Sequence, residues 1–126
     1  MWRNLLFLAL AGSAGTLSRF GMSNLVCLLV GRHTAWATVA VNLSGCLLFG
    51  LIWPLAEDKL LLSHDLRLII LTGFMGAYTT FSTFMFESTV QAESGRMTAA
   101  LGNIAVQNIG GLAMMYLGLV VTRALT

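Results

Sequence analysis

Four long apolar segments alternate with short polar connections along this chain. They cover about residues 5–30, 36–56, 66–91 and 99–124. Each is near or above the ~20 residues that a helix needs to cross the hydrocarbon of a bilayer. The pattern predicts an all-α membrane protein with four transmembrane helices and short loops, both termini on one side, and a single domain over residues 1–126.

The third apolar segment contains a stretch that is poorly suited to a continuous helix because glycines, hydroxyls and β-branched threonines follow one another. In lipid, freed backbone groups persist only where protein buries them or a wet cavity reaches them. We predict that the third helix is broken mid-membrane at Gly76–Thr79, where backbone carbonyls lose their helical partners. The break would mark the working centre of a small transporter or channel. The stretch reads Gly73-Phe-Met-Gly76-Ala-Tyr-Thr79-Thr80-Phe81-Ser82-Thr83-Phe84.

Composition supports a membrane location. The chain is 57% hydrophobic and only 10% charged, whereas a soluble domain is about 25% charged. The net charge of +2 is small and dispersed, which argues against nucleic acid as a partner. The first apolar segment could also be a signal peptide. We favour a retained helix, because cleavage near Ala14 would leave a chain that still needs several spans.

The distribution of basic residues gives little preference for one membrane orientation. Four fall on the side that holds both termini and two on the other, a weak bias under the positive-inside rule. Such a chain could insert in either orientation. The two groups are Arg3, Lys59, Arg67 and Arg123 on one side, and Arg32 and Arg96 on the other.

Three groups of polar residues fall inside the predicted spans, where they cost free energy unless they are paired or functional. Arg19 either snorkels to the interface or faces a wet vestibule that attracts anions. Thr38 and Asn42 share one helical face, as do Asn103 and Gln107, because each pair is four residues apart. The Asn42 amide either holds helices together or offers N–H donors to a passing solute. The Asn103 and Gln107 pair indicates contact with the same polar path or with another subunit.

Aromatic and hydroxyl side chains are interleaved directly after the predicted break. Phe81 and Phe84 are three residues apart, and Thr80, Ser82 and Thr83 lie among them. The phenylalanines either pack or turn ring edges, which carry positive electrostatic character, toward a small anion. Further along, Glu87 is either a carboxylate near the interface or an acid inside a span.

We expect no enzyme activity, because the sequence contains no nucleophile–base–acid set, metal-ligand cluster or phosphate loop. Two other functions compete with that of a channel. A small four-helix dual-topology multidrug exporter would need an acid in the first helix, where this chain has Arg19 and no acid. A non-transporting assembly subunit would leave Asn42, Phe81 and Phe84 as packing residues.

The chain resembles the Fluc (CrcB-type) family of fluoride channels along its whole length. The matching pieces are Gly12-Ser-Ala-Gly15-x-x-x-Arg19, Thr38-x-x-Val41-Asn42-x-x-Gly45 and Gly73-x-x-Gly76-x-x-Thr79-Thr80-Phe81-Ser82-Thr83-Phe84. The chain departs from the family at Ala37 and Ala77, where relatives often have glycine, and in its use of Asn103 and Gln107 on the fourth helix.

The resemblance implies an antiparallel dual-topology homodimer in the bacterial plasma membrane that passively exports cytoplasmic fluoride. It also implies a structural Na⁺ at the centre, held by the backbone carbonyls of Gly76 and Thr79 from two subunits. The partners would be fluoride, sodium, the lipid bilayer and a second copy of the chain. The fluoride pathway would use Arg19, Thr38, Asn42, Thr80, Phe81, Ser82, Thr83, Phe84, Asn103 and Gln107.

Overall fold

The computed structural model describes residues 2–31, 35–58 and 61–126. Arg32 and Lys59, which entered the charge comparison, lie outside these residues. The described residues form helices and connections without a β-strand. Four helical spans are long and apolar enough to cross a membrane, which confirms the prediction of an all-α chain with four candidate transmembrane helices.

The first two spans are continuous α-helices. Helix α1 (Trp2–Val30) has 29 residues and α2 (Trp36–Glu57) has 22. In α1 only Gly15 is buried, and leucine and phenylalanine side chains are exposed around its surface. Such a helix suits a lipid environment, because hydrocarbon satisfies apolar side chains on every side. Pro54 lies in the last turn of α2.

The third span, His64–Glu93, is a series of helical segments. The backbone is extended at Thr79 (φ −82°, ψ 161°) and Thr80 (φ −148°, ψ 114°). The Thr80 hydroxyl accepts a hydrogen bond from the Thr83 N–H at 3.3 Å and so caps the helix that follows. The segments are α3 (His64–Arg67), a π-helical stretch (Leu68–Met75), α4 (Gly76–Tyr78) and α5 (Phe81–Glu93).

The fourth span, Met97–Leu125, follows a tight turn at Gly95, whose φ of 77° is a left-handed conformation that glycine adopts without strain. Its α-helical winding widens to π-helical for five residues before it resumes. The segments are α6 (Met97–Ala105), a π-helical stretch (Val106–Gly110) and α7 (Gly111–Leu125).

The second and fourth spans touch along their backbones. A Cβ atom built on Gly50 would collide with the Met115 carbonyl, and one built on Gly118 would lie 2.6 Å from the Leu47 carbonyl oxygen. Small residues allow membrane helices to approach this closely. The Thr122 hydroxyl, which donates to the Leu51 carbonyl at 2.9 Å, adds a hydrogen bond to the same contact.

Charged residues join the second, third and fourth spans at one end of the bundle. The Arg67 guanidinium pairs with Glu57 and lies 5.7 Å from the centre of the Trp53 ring. The Arg123 Nε donates to Asp58 Oδ2 at 2.8 Å. We call these five residues the end clasp. Other polar contacts between spans include those of Asn42 with the Thr80 backbone.

Candidate functional site

The side chain of Asn42 bridges to the extended backbone that separates α4 from α5. The Thr80 N–H donates to Asn42 Oδ1 at 2.8 Å, and Asn42 Nδ2 donates to the Thr80 carbonyl at 3.0 Å. This amide therefore replaces the partners that a continuous helix would have supplied. Gly45, one turn further along α2, allows this approach, because a Cβ there would collide with the Thr79 methyl group.

A chain of hydrogen bonds runs from Asn42 through the fourth span and back to α5. Asn42 Nδ2 donates to Gln107 Oε1 at 2.6 Å, and Gln107 Nε2 donates to Asn103 Oδ1 at 3.0 Å. Asn103 Nδ2 donates to Ser88 Oγ, and the Ser88 hydroxyl donates to the Phe84 carbonyl, each at 2.9 Å. We call Asn42, Gln107, Asn103 and Ser88 the amide relay.

Phe81 and Phe84 form an edge-to-face pair beside the amide relay. Their ring centres are 5.7 Å apart and the ring planes meet at 70°, a geometry that brings the positive edge of one ring to the negative face of the other. The two rings differ in environment: Phe84 is only 4% exposed, whereas Phe81 is 72% exposed and projects from the surface of the subunit.

Asn42 and Gln107 of the amide relay and the phenylalanine pair border one cavity of about 340 Å³, which we call the central cavity. A few polar groups in a mostly apolar cavity are typical of a small-solute site. The residues that border it include Asn42, Gly45, Phe49, Gly76, Thr79, Thr80, Phe81, Phe84, Gln107 and Asn108.

A second cavity of about 340 Å³, the polar groove, lies between the first, second and third spans. Arg19 is half-buried there, and its Nη1 donates to the Thr79 carbonyl at 3.4 Å. The Thr80 hydroxyl is 2.9 Å from the Thr83 hydroxyl and 3.4 Å from the exposed Ser82 hydroxyl. The groove is bordered by Thr16, Arg19, Phe20, Ser23, Thr38, Val41, Thr80 and Thr83.

Thr38 borders the polar groove and also contacts Glu87 in the third span. Its hydroxyl donates to Glu87 Oε1 at 2.6 Å. The other carboxylate oxygen, Glu87 Oε2, is buried and has no hydrogen-bond partner among the described residues. Glu87 therefore packs against another span rather than standing free at a helix end.

Among the described residues, the backbone carbonyl oxygens of Gly76 and Thr79 are ligands of the kind that a hard monovalent cation prefers. The Thr80 N–H, the usual helical partner of the Gly76 carbonyl, donates to Asn42 instead. The Thr83 N–H, the usual partner of the Thr79 carbonyl, donates to the Thr80 hydroxyl. Gly76 also has open space where a Cβ would lie. Both carbonyls are thus released from helical pairing beside an accessible face, and Arg19 uses only one lone pair of Thr79.

The structure brings the predicted site residues, except Ser82 and Asn103, to the edges of two adjoining cavities. Asn42, Phe81, Phe84 and Gln107 border the central cavity, and Arg19 and Thr38 border the polar groove, as Thr80 does on both sides. Asn103 is joined to the first group through Gln107. Asn108 is apart from the relay, because its amide donates to the Ile104 carbonyl of its own helix.

Sequence analysis missed Ser88, which ends the amide relay, and the contact between Ser44 and Tyr78, whose hydroxyls are 2.8 Å apart. A small hydroxyl residue four positions after Phe84 gives no signal by itself. The available clue was the pair Asn103 and Gln107, since two amides on a membrane helix require partners on a neighbouring span.

Residues 6–119 match the family described as CrcB-like protein, Camphor Resistance (CrcB). The chain belongs to this family. Among its relatives, a protein named fluoride-specific ion channel FluC from Solidesulfovibrio magneticus is 48% identical over 123 residues, which are 98% of each chain. The proteins with this name from Nitrosococcus oceani and Nitratidesulfovibrio vulgaris are 46% identical over 123 residues and 43% identical over 117.

The family match and the four apolar spans together establish a multi-pass bacterial membrane protein. The matched range begins in α1 and ends in α7, so it includes all four spans. The amide relay, the phenylalanine pair and the polar groove therefore all lie within the part of the chain that the family shares.

Proposed function

We propose that this protein is a fluoride-selective channel that passively releases fluoride from the cytoplasm. The observation that carries the proposal is a cavity bordered by both amides and an aromatic pair, in a chain nearly half identical to proteins named fluoride-specific ion channels. These relatives are named as channels and not as enzymes. Fluoride would enter the cell as neutral HF, ionise in the cytoplasm and leave through the channel.

Fluoride is small and strongly hydrated, so a selective path must replace its water with several modest donors. Conduction also requires that no single station hold the ion too tightly. We propose that Arg19 draws anions into the polar groove, where Thr80 and Thr83 offer hydroxyls, with Ser82 beside Thr80 and with Thr38 lining the path while it bonds Glu87. This arrangement is supported by the position of Arg19 at the groove and by the exposure of Ser82 and Thr83.

The narrow part of the path would lie at the central cavity, where Phe81 and Phe84 turn ring edges toward the ion and Gln107 offers an amide N–H. Asn42 would hold Gln107 in place, and Asn103 would act from the adjoining cavity. An aromatic edge attracts an anion weakly, without the deep trap that a full positive charge would create. Chloride is larger and would fit poorly between the rings. The edge-to-face geometry of the pair and its place beside the relay support this role.

The active unit would be an antiparallel homodimer with dual topology, in which the interruption at Thr79 and Thr80 lies mid-membrane. Two features support a second copy as the partner of this face. Phe81 is 72% exposed beside a cavity lined by amides, and the freed carbonyl of Gly76 lies on an exposed residue. Lipid cannot satisfy the Gly76 carbonyl or the amides that line the cavity, but a copy of the same surface can.

The carbonyls of Gly76 and Thr79 from both subunits would hold a structural Na⁺, which is not transported. When bound, the ion would supply a fixed positive charge that joins the subunits and raises the local affinity for anions. The release of both carbonyls from helical pairing supports this site. Replacing Na⁺ on both sides with N-methylglucamine should reduce flux, and unchanged flux would argue against the site.

Fluoride efflux from liposomes that contain the purified protein tests the function directly. A fluoride electrode should record rapid release when valinomycin balances the charge, whereas a chloride electrode should record little release from matched chloride-loaded liposomes. Protein-free liposomes set the background. Equal rates for the two anions would contradict selectivity, and background rates for both would contradict a channel.

Labelling of a single cysteine tests dual topology. Ser94 is exposed in the connection between the third and fourth spans, so Ser94→Cys would be introduced into a chain in which Cys27 and Cys46 are replaced by alanine. In sealed vesicles, an impermeant thiol reagent should label about half of the protein from each side. Labelling from one side only would refute dual topology.

A further inference from the structure

The direction of every hydrogen bond in the amide relay is fixed by the backbone of α5 and its N-cap. At one end, the Thr80 N–H can only donate, so Asn42 turns Oδ1 toward it and Nδ2 toward Gln107. Gln107 must then present Oε1 to Asn42, which directs its Nε2 to Asn103. Asn103 in turn presents Oδ1 to Gln107 and Nδ2 to Ser88.

The opposite end imposes the same direction independently. The Phe84 carbonyl can only accept, so the single hydrogen of the Ser88 hydroxyl goes to it. The Ser88 oxygen is then an acceptor for Asn103. Rotation of any one amide would therefore place two donors or two acceptors face to face within a buried network.

This direction determines which hydrogens stay available to an anion. Each amide nitrogen carries two hydrogens. Asn42 uses both, one for the Thr80 carbonyl and one for Gln107. Within the described part of the chain, Gln107 and Asn103 use one each in the relay and keep one each. The available N–H donors therefore belong to the fourth span.

Gln107 and Asn103 border two different cavities. Gln107 borders the central cavity, and Asn103 borders a cavity of about 360 Å³ that Gln91 and Arg96 also line. Both amides are buried, at 8% and 7% exposure. The two amides with an unused hydrogen thus connect the central cavity to a second cavity at the end of the bundle that carries Arg96.

We propose that Ser88 is a positioning residue for anion conduction: it anchors the far end of the amide relay to α5, so that Asn103 and Gln107 keep a fixed place with their unused N–H groups available to the ion. This inference rests on the proposed function. Without the Ser88 hydroxyl, Asn103 Nδ2 loses its acceptor, and only the Gln107 N–H still holds the Asn103 amide. An amide held at one end moves more freely and presents its N–H to fluoride less often, which would weaken binding at that station.

Planar-bilayer recording with purified protein tests this role. We expect Ser88→Ala to raise the fluoride concentration for half-maximal conductance by roughly tenfold, the size of effect expected for one buried hydrogen bond. Ser88→Thr, which keeps the hydroxyl, should restore most of the loss. Ser13→Ala is the matched control, because the Ser13 hydroxyl also bonds the carbonyl four residues earlier but joins no relay.

Dimer size and thermal midpoint, measured on the same samples, separate positioning from stability. Conductance that falls in Ser88→Ala while both stay near wild type supports the proposal. Wild-type fluoride dependence in Ser88→Ala would overturn it, as would a loss that Ser88→Thr does not restore. If Ser88→Ala does not assemble, Ser88→Cys replaces it, and wild-type behaviour there would also overturn the proposal. An absence of fluoride current in the wild-type protein would instead refute the proposed function.

Discussion

The end clasp and the amide relay both join the second, third and fourth spans, but by different physical means. The end clasp uses full charges on half-exposed side chains, where solvent screening leaves an ion pair worth about 0–1 kcal/mol. The amide relay uses neutral groups, most of them buried, where an unpaired donor costs roughly 1–3 kcal/mol. Breaking a neutral contact in the amide relay should therefore cost more free energy than breaking an ion pair in the end clasp. The proposed ion path borders the relay.

The largest effect is expected from Asn42→Ala. It removes three hydrogen bonds at once, two to Thr80 and one to Gln107. At roughly 1 kcal/mol or more for each, fluoride efflux should fall by about 100-fold or more. The liposome assay measures this loss.

Asn108→Ala is the matched control for that substitution, because the Asn108 amide bonds only within its own helix. Its loss of efflux should be much smaller. Equal losses in the two variants would remove the distinction between the relay and a neighbouring amide on the same span.

The phenylalanine pair should give the next largest effect. Phe84→Ile and Phe81→Ile keep apolar bulk but remove the polarised ring edge, and each breaks the edge-to-face contact. We expect efflux to fall at least about tenfold in both variants, because a factor of ten corresponds to the loss of about 1.4 kcal/mol of favourable interaction. Size-exclusion chromatography should show an unchanged assembly. Near-normal efflux in both variants would contradict the aromatic-edge mechanism.

Gly45→Ala tests the close approach that supports the relay and should have a moderate effect. The new methyl group would collide with the Thr79 methyl and displace the extended backbone that Asn42 holds. We expect efflux to fall several-fold and the thermal midpoint to fall by a few degrees, consistent with ~1–3 kcal/mol of overpacking.

Gly21→Ala is the control for Gly45→Ala, because a Cβ at Gly21 meets open space. It should leave the thermal midpoint at or slightly above the wild-type value, since alanine favours a helix more than glycine. A similar decline in both variants would show that methyl groups are poorly tolerated in general, and not at Thr79 in particular.

The smallest effect is expected at the end clasp. Arg123→Gln removes the ion pair with Asp58 and should lower stability by about 0–1 kcal/mol, with fluoride efflux unchanged. High salt should shrink even this difference by screening the wild-type pair. A large loss of efflux would mean that the two regions are coupled rather than separate.

Hydrophobic patterning predicted the spans well because membrane helices must satisfy their backbone internally. The second helix begins at Trp36 as expected, and the third extends two residues past the predicted limit at each end. Pattern could not predict the π-helical stretches at Leu68–Met75 and Val106–Gly110, because a wider turn depends on how neighbouring helices pack and not on local composition.

The candidate site was partly predictable for a similar reason. Asn42, Asn103 and Gln107 stood out because amides are costly in an apolar span. The order in which these residues are hydrogen-bonded was not predictable, because the bonds of Asn42 to Gln107 and of Asn103 to Ser88 join residues on different spans. Ser88 escaped notice because serine is common in helices and the carbonyl it bonds is in its own helix.

The unequal lengths of the spans have a consequence for the surrounding lipid. At 1.5 Å per residue, α2 is about 33 Å long, close to the ~30 Å of hydrocarbon, whereas α1 is about 44 Å long. Helix α2 has little freedom to tilt, because Gly50 and Gly118 hold it against the fourth span. Helix α1 is also held, because a Cβ at Gly15 would collide with the Phe74 carbonyl of the third span, but both of its ends are exposed. The extra length of α1 therefore lies at its ends, where hydrophobic mismatch can be absorbed while the amides of the second and fourth spans keep their register.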